Sequence, residues 1–351
     1  MNERTNQESR GRVKCVVWDL DNTLWKGVLP EGADVSLFKD SASVIRILDE
    51  RGILQSVASK NDSTSALRKL RDFGLEDYFL FPQITWSSKA VSIETIAGLL
   101  NISIDSMAFV DDDAAELEEV KLAHPGVMCL TASKLSEIPQ MPEMMPLVVS
   151  EDSKVRRSLY IAEQNRNTAE ADYAGSKEEF LASLGMKLSV MPAERDDLKR
   201  AEELTRRTSQ LNTTGVVYSY EELDRLRSSD RHRVYMAELR DRFGDYGKIG
   251  LSLIECADDQ WTIKLLLLSC RVITRGIGTV MVNCIRDQAR RRKVRLLSEF
   301  LPNDRNRLMY LAYKFTGFTQ IDTAAKLQIM ENDLSAPLAY PPYIEIDFAD
   351  R

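Results

Sequence analysis

The sequence predicts an α/β protein built from two domains, and three observations carry that expectation. An apolar, β-branched run, Val16-Val17-Trp18, stops at two carboxylates, Asp19 and Asp21. The same unit of short apolar strand, polar tip and amphipathic helix then returns at Ile53–Asp62 and again at Met107–Asp113. From Lys187 a different pattern begins, with longer strands, a Gly-containing hairpin and an Arg-Gly-Ile-Gly turn that opens a helix. Strands alternating with helices argue for a parallel sheet.

Size and composition bound the reading. The 351 residues suffice for two domains of ordinary size. Hydrophobic content of 44% and charged content of 29% fit a soluble globular chain. A net charge of -7 and a pI near 5.2 argue against general nucleic-acid binding. Cys15, Cys129, Cys256, Cys270 and Cys284 are scattered, and with two histidines they offer no zinc pattern. Reduced thiols and a cytoplasmic location are expected. Residues 1–12 are polar and read as a disordered lead-in rather than a signal peptide. No apolar run is long enough to cross a bilayer, so no membrane partner is expected.

The first half is justified element by element. The opening run is a buried parallel strand. Lys26 to Lys39 is a Gly- and Pro-containing loop. Ser41 to Arg51 is helical, with Val44, Ile45 and Leu48 on one face and Gly52 as its stop. Ile53 to Ala58 is a second buried strand, and Ser63 to Phe73 a helix closed by Gly74. Phe79 to Thr85 is a strand-and-turn stretch. Lys89 opens a helix whose apolar face is Val91, Ile93, Ile96, Leu99 and Leu100. Met107 to Val110 is a third strand, ending in Asp111-Asp112-Asp113.

The polar tips suggest chemistry. Asp19 and Asp21, spaced i, i+2, point the same way if strand geometry persists, and they repel without a cation or shared proton between them. Mg²⁺, a hard ion that takes oxygen ligands, answers that need. Turn chemistry is the plainer explanation. Ser59, at a strand end before a helix start, suits phosphate; Asn61, Asp62 or Ser63 can equally serve as a helix cap. Lys89 opposes the helix dipole, a misfit that a bound anion relieves. Asp111, Asp112 and Asp113 are costly together without a cation, although one of them can cap the following helix.

The set Asp19-x-Asp21-x-Thr23, Ser59, Lys89 and Asp111/Asp112 resembles the four motifs of the haloacid-dehalogenase (HAD) superfamily. The resemblance implies a Rossmann-like core with Asp19 as nucleophile and Asp21 as general acid/base. It places Mg²⁺ on Asp19, the Asp21 carbonyl and Asp111, with Asp112 assisting, and gives Ser59, Lys60, Asn61 and Lys89 as phosphate-binding residues. The gaps between motifs are short, so no large cap domain is expected.

Leu130 to Asp152, with Pro139, Pro142 and Pro146, reads as a boundary. Ser153 to Leu184 is charged and largely helical, with Gly175 interrupting. Strands are expected at Lys187–Val190, Val234–Arg240, Lys248–Cys256, Trp261–Val272 and Arg295–Phe300. Helices are expected at Asp196–Gln210, Thr279–Arg291 and Asn303–Thr316, and a hairpin loop at Asp241–Gly247. This order is similar to the GCN5-related N-acetyltransferase (GNAT) fold. The resemblance implies that Gly276, Gly278 and the helix start hold the pyrophosphate or pantetheine arm of an acyl carrier. Arg271 and Arg275 would add positive charge. Cys270 beside them is an acyl-accepting thiol or, more commonly, a buried structural cysteine. Arg290-Arg291-Arg292-Lys293 complements the helix dipole, with docking of an acidic carrier as the alternative.

A capless HAD-like Rossmannoid domain followed by a GNAT-like α/β domain resembles the FkbH-like family. The matching stretches are Trp18-Asp19-Leu20-Asp21-Asn22-Thr23-Leu24-Trp25, Ser59-Lys60-Asn61-Asp62, Leu204–Asn212, Asp241–Gly247, Leu268–Gly276 and the Arg305-Asn306 region. The expected layout is a phosphoryl-transfer domain at 13–150, a helical bridge at 151–185 and a carrier-binding domain at 186–351. The family implies dephosphorylation of 1,3-bisphosphoglycerate and loading of the glyceryl unit as a thioester on a phosphopantetheinylated acyl carrier protein, in polyketide and related assembly. The sequence departs from that pattern. Ala58 stands where cysteine is usual, Lys26 where glycine is, Ser209 where asparagine is, and Asp113-Ala114 replaces Asn-Pro. A glyceryl thioester at position 58 is therefore excluded, and a related phosphorylated acid becomes a possible donor. The rival readings are a plain HAD phosphatase on a small metabolite and a non-catalytic carrier-binding module.

Overall fold

A computed structural model describes residues 12–29, 35–208, 211–272, 275–304 and 306–350. The expected lead-in, apart from Arg12, lies outside them, as do Ser209 and Arg305. The chain divides into two compact units, Met1–Ile161 and Ala162–Arg351.

In the first unit five parallel strands form one sheet: β1 (Cys15–Trp18), β4 (Leu54–Ser59), β5 (Gln83–Ile84), β6 (Met107–Asp111) and β7 (Met128–Thr131). Their order is β5-β4-β1-β6-β7, so β1 is central and the chain changes direction across it. Four helices cover the sheet: α1 (Ser41–Glu50), α2 (Ser63–Asp72), α3 (Lys89–Leu100) and α4 (Ala114–Ala123). The strand pleat sorts the core in two. Val16 and Trp18 pack with Val44, Ile45, Leu48, Ala66 and Leu70 from α1 and α2. Cys15 and Val17 pack with Ile93, Ile96, Leu100, Leu117 and Val120 from α3 and α4. Both faces are buried, which is why β1 and β6 run apolar rather than alternating; β4 is buried as well but carries Gln55, which accepts from Trp18 Nε1 at 3.1 Å, and Ser56.

The loop expected at 26–39 contains structure of its own. Trp25–Lys26 (β2) pairs antiparallel with Ser36–Leu37 (β3); residues 30–34 lie outside the described set. The proline-rich stretch after β7 forms 3₁₀ turns at Ala132–Gln140 and Pro142–Met144, and Ile138 and Met144 are buried in the first unit's core. Short α5 (Glu151–Lys154) and long α6 (Arg156–Ala171) follow. The division between the units falls within α6, so the stretch read as a bridge is shared between them.

The second unit has one mixed eight-stranded sheet, in the order β13-β14-β12-β11-β10-β9-β8-β15. Its strands are β8 (Met186–Pro192), β9 (His232–Asp241), β10 (Gly244–Cys256), β11 (Gln260–Leu268), β12 (Arg295–Phe300), β13 (Phe318–Ala324), β14 (Leu327–Asn332) and β15 (Ile344–Phe348). Its helices are α7 (Lys177–Ser183), α8 (Leu198–Arg207), α9 (Tyr220–Ser228), α10 (Ile277–Arg292) and α11 (Arg307–Phe315).

Several boundaries differ from the sequence reading. The long strand stops at Leu268, and Cys270–Val272 is a 3₁₀ turn. The hairpin turn is shorter than Asp241–Gly247, because Gly244 already pairs with Asp241. The helix read from Asn303 starts at Arg307, since Asn303 and Asn306 cap each other, backbone N–H to side-chain oxygen, at 3.0 Å both ways. Helix α9 and strands β13 to β15 were not anticipated. Strand β13 is polar and exposed on most positions, so it lacks the apolar alternation that marks a strand in sequence.

Candidate functional site

Register builds the site. Trp18 at the end of β1 is level with Val57 on β4 and Val110 on β6. The next residues along the three strands, Asp19, Ala58-Ser59 and Asp111, therefore emerge together at the carboxyl edge. The Asp19 amide donates to the Val110 carbonyl at 2.9 Å, which extends the pairing one step into the site. This is the switch point of a doubly wound sheet, where helices leave to opposite faces and a crevice opens.

Beyond Asp19 the chain turns tightly. The amides of Thr23, Leu24 and Trp25 all donate to the Leu20 carbonyl, at 3.2, 2.9 and 3.2 Å. Asn22 takes the left-handed conformation with φ 53°, which asparagine tolerates well. The turn brings Trp25 back beside Asp21.

The charges then converge. Lys89, the first residue of α3, extends its ammonium into the crevice, where Nζ lies 2.8 Å from Asp19 Oδ1 and 2.5 Å from Asp111 Oδ2. Ser88 caps the same helix by accepting from the Val91 amide, so Lys89 is free to point inward. The dipole misfit read from sequence is relieved here by two of the protein's own carboxylates. Ser59 Oγ donates to Asp19 Oδ1 at 2.9 Å. Asp111 Oδ1 accepts from the Asp113 amide at 2.8 Å, and Asp113 caps α4 through Ala115. One of the three adjacent acids is thus a cap and the other two face the site. Asp112 is exposed and accepts from Thr23 Oγ1 at 3.3 Å.

Burial of Asp19 pushes its carboxyl up to about 6; the Lys89 charge opposes the rise and the Asp111 charge adds to it. Burial raises Asp111 as well, again against Lys89. Burial by itself would lower Lys89, but the two carboxylates outweigh it and its ammonium is held above the ordinary value.

Asp21 is held differently. Its Oδ1 accepts from Trp25 Nε1 at 2.7 Å and from the Leu29 amide at 3.1 Å. Its Oδ2 accepts from Asn61 Nδ2 at 2.9 Å. Asn61 Nδ2 also reaches Ser59 Oγ at 3.3 Å. Lys60, the residue between, pairs with Glu116 at 2.5 Å. The sequence reading quoted Thr23 and Trp25 only as members of a motif, without the contacts they make to Asp112 and Asp21, and did not single out Glu116. Each joins the site through a turn or a neighbouring helix, which spacing alone does not reveal.

Three acids of the crevice form a donor set suited to a metal. Carboxylate oxygens of Asp19, Asp111 and Asp112 lie within 4.8 Å of one another. The ligands offered are hard oxygens, and a cation already bridges two of them as Lys89. The set fits a hard divalent ion.

The second unit holds the remaining candidates. Gly276 caps α10 with φ 77°, a conformation that disfavours any side chain. A Cβ on Gly278 would meet Leu268 Cδ1 at 3.1 Å, so this glycine lets the helix approach β11 closely. Cys270 is half-buried in the 3₁₀ turn. Arg271 Nε donates to Ser269 Oγ at 3.2 Å. Arg275 is buried; it donates to Glu170 Oε2 at 3.1 Å and lies 3.7 Å from Glu163, so two carboxylates already oppose its charge. Residues 273 and 274 lie outside the described set.

No protein-family model and no curated protein matches the sequence. Among solved structures the chain is similar to the N-terminal part of a Bacteroides fragilis protein, containing a phosphatase domain complexed with Mg. The identity is 26% over 40% of this chain and 42% of that chain, with a TM-score of 0.35. The chain therefore spans less than half of that protein's length. It is also similar to the PaiA N-acetyltransferase of Thermoplasma acidophilum in complex with coenzyme A, with 18% identity, 41% of this chain, 98% of that chain and a TM-score of 0.34. A GNAT-family acetyltransferase from Streptococcus pneumoniae matches at 18% identity, 41% of this chain and 98% of that one, with a TM-score of 0.32.

Proposed function

We propose that the chain is a Mg²⁺-dependent phosphoryl-transfer enzyme of the HAD type. In this reading it dephosphorylates a phosphorylated acyl donor and loads the acyl group as a thioester on an acyl carrier protein. The observation that carries the phosphoryl-transfer step is the convergence on Asp19 Oδ1 of Ser59 Oγ at 2.9 Å and Lys89 Nζ at 2.8 Å. In this reading those two groups orient the nucleophile and turn to the oxygens of an incoming phosphate.

A bound Mg²⁺ would be held by Asp19, the Asp21 carbonyl, Asp111 and Asp112, and would offset the negative charge that otherwise keeps phosphate from a carboxylate. Lys89 donates to the equatorial oxygens, and Ser59 does so once its one hydroxyl proton turns from Asp19 to the phosphate. An Asp19 oxygen bonds to phosphorus as the bond to the leaving oxygen breaks. Asp21 supplies a proton to that oxygen when it leaves as an alkoxide. Water then bonds to phosphorus and gives its proton to Asp21, and the Asp19–phosphorus bond breaks to return the carboxylate.

Carrier loading rests on the motif resemblance and on the Gly276-Ile277-Gly278 helix start. The carrier thiol attacks the acyl carbon of an acyl phosphate such as 1,3-bisphosphoglycerate; a C–S bond forms and phosphate leaves with the C–O electron pair. A second reading, a plain phosphatase, is favoured by one observation. Ala58, in the place where the family pattern has cysteine, is fully buried and offers no thiol.

The test is to incubate the protein with Mg²⁺, 1,3-bisphosphoglycerate and a phosphopantetheinylated carrier, and to take intact masses of both proteins. A gain of carrier mass is expected. Phosphate release without it selects the phosphatase, and neither outcome selects a non-catalytic binding role. Asp19→Asn abolishes hydrolysis of the phosphate ester; ester hydrolysis that survives it overturns the nucleophile assignment.

A further inference from the structure

Asn61 is 2% exposed, and its two amide protons are both spent, on Asp21 Oδ2 and on Ser59 Oγ. It has no proton left for a phosphate oxygen. Reversing the amide would set its oxygen against the Asp21 carboxylate, so the orientation is fixed by its neighbours. Its own oxygen, Oδ1, is buried without a hydrogen-bond partner. Trp25 is fully buried in the core, and its indole N–H makes the shortest of the three contacts to Asp21. The contacts form a continuous chain: Lys89 and Ser59 donate to Asp19, Asn61 donates to Ser59 and to Asp21, and Trp25 donates to Asp21.

We propose that Trp25 and Asn61 are the positioning residues of the acid/base group, clamping Asp21 from two sides and tying it through Ser59 to the nucleophile. The proposal deepens the HAD-type reading above and rests on it for the role of Asp21. The side chains that do the clamping carry no titrating proton in the working pH range, so proton traffic stays on Asp21 itself. The proton Asp21 carries goes to the leaving oxygen in the first step, and one returns from water in the second.

A clamp on an acid makes a specific prediction about leaving groups. An alkyl phosphate needs the proton as its oxygen departs; p-nitrophenyl phosphate does not. Trp25→Phe keeps the ring and removes the donor, and Asn61→Ala removes the other arm. Each is expected to lower kcat/KM, which reports only the steps through departure of the leaving oxygen, by about tenfold or more on glycerol phosphate, with a much smaller loss on p-nitrophenyl phosphate. Equal losses of kcat/KM on both substrates overturn the proposal, because a merely structural defect does not read the leaving group.

A second readout needs no turnover. The Trp25 indole N–H resonance, followed by ¹H–¹⁵N NMR of the full chain, is expected to move strongly in Asp21→Asn and Asn61→Ala and to stay put in Lys60→Ala. An indole resonance that ignores Asp21→Asn sinks the clamp even if the enzyme is active. Wild-type protein that hydrolyses neither phosphate while the indole responds to Asp21 sinks the phosphatase reading and leaves the clamp standing.

Discussion

Lys89 Nζ bridges Asp19 and Asp111, and all three side chains are buried. Removing the ammonium leaves two carboxylates facing each other in a poorly solvated crevice. Lys89→Met is therefore expected to destabilise the metal-free protein by about 3–5 kcal/mol at neutral pH, measured by urea unfolding. Mg²⁺ should recover part of that loss. The pH dependence follows from Asp19. Its carboxyl is raised from 3.8 to about 6, so the folded state holds the proton more tightly than the unfolded chain does. The contribution of this group is full below the unfolded value and is lost as pH rises through about 6. A bound cation must displace that proton. The rise in Tm on adding Mg²⁺ is accordingly expected to be larger above about pH 7 than at about pH 5; a pH-independent shift would place the ion elsewhere.

At the scale of elements, the sequence reading worked where burial is two-sided. Strands β1 and β6 are apolar up to their polar tips, β4 is buried throughout although it carries Gln55 and Ser56, and each is found within a residue or two of its expected bounds. The helix stops at Gly52 and Gly74 were visible because both take positive φ, at 68° and 67°. The reading failed where a strand is exposed, as in β13, or where a turn residue carries the geometry. Cys270–Val272 looks like strand because Val272 is apolar and buried, yet it belongs to a 3₁₀ turn. Packing between elements sets a further expectation. A Cβ on Gly250, within β10, would meet Met281 Sδ at 2.9 Å, Leu268 Cδ2 at 3.0 Å and Ala237 Cβ at 3.1 Å. Gly250→Ala should cost about 1–3 kcal/mol, read as a lower denaturation midpoint. At Gly74 a Cβ would meet nothing within 4 Å, so Gly74→Ala carries only backbone strain, about 1–2 kcal/mol.

At the scale of the molecule, the candidate metal ligands all come from the first unit. Hydrogen exchange in full-length protein should slow on adding Mg²⁺ at Trp18–Asp21, Ser59–Asn61 and Asp111–Asp113, and stay unchanged in the second unit's sheet. Protection that spreads evenly through both units would argue against a local ion site. The net charge of -7 sets a separate expectation. Repulsion between molecules fades as carboxylates protonate, so solubility should fall toward pH 5.2, which light scattering would show.

By itself the sequence determined which residues reach the carboxyl edge of the parallel sheet. A continuous apolar strand buries both faces, and the first polar residue after it has nowhere to go but the open edge. That local rule placed Asp19 and Asp111 without any knowledge of strand order, whereas Ser59 ends a strand that already carries Gln55 and Ser56. Only the tertiary structure decided that β1 lies between β4 and β6, that Lys89 bridges two acids, and that Trp25 and Asn61 grip Asp21 from either side. Those contacts join residues far apart in the chain or folded back by a turn, and their energy depends on distance in space, which a one-dimensional pattern does not contain.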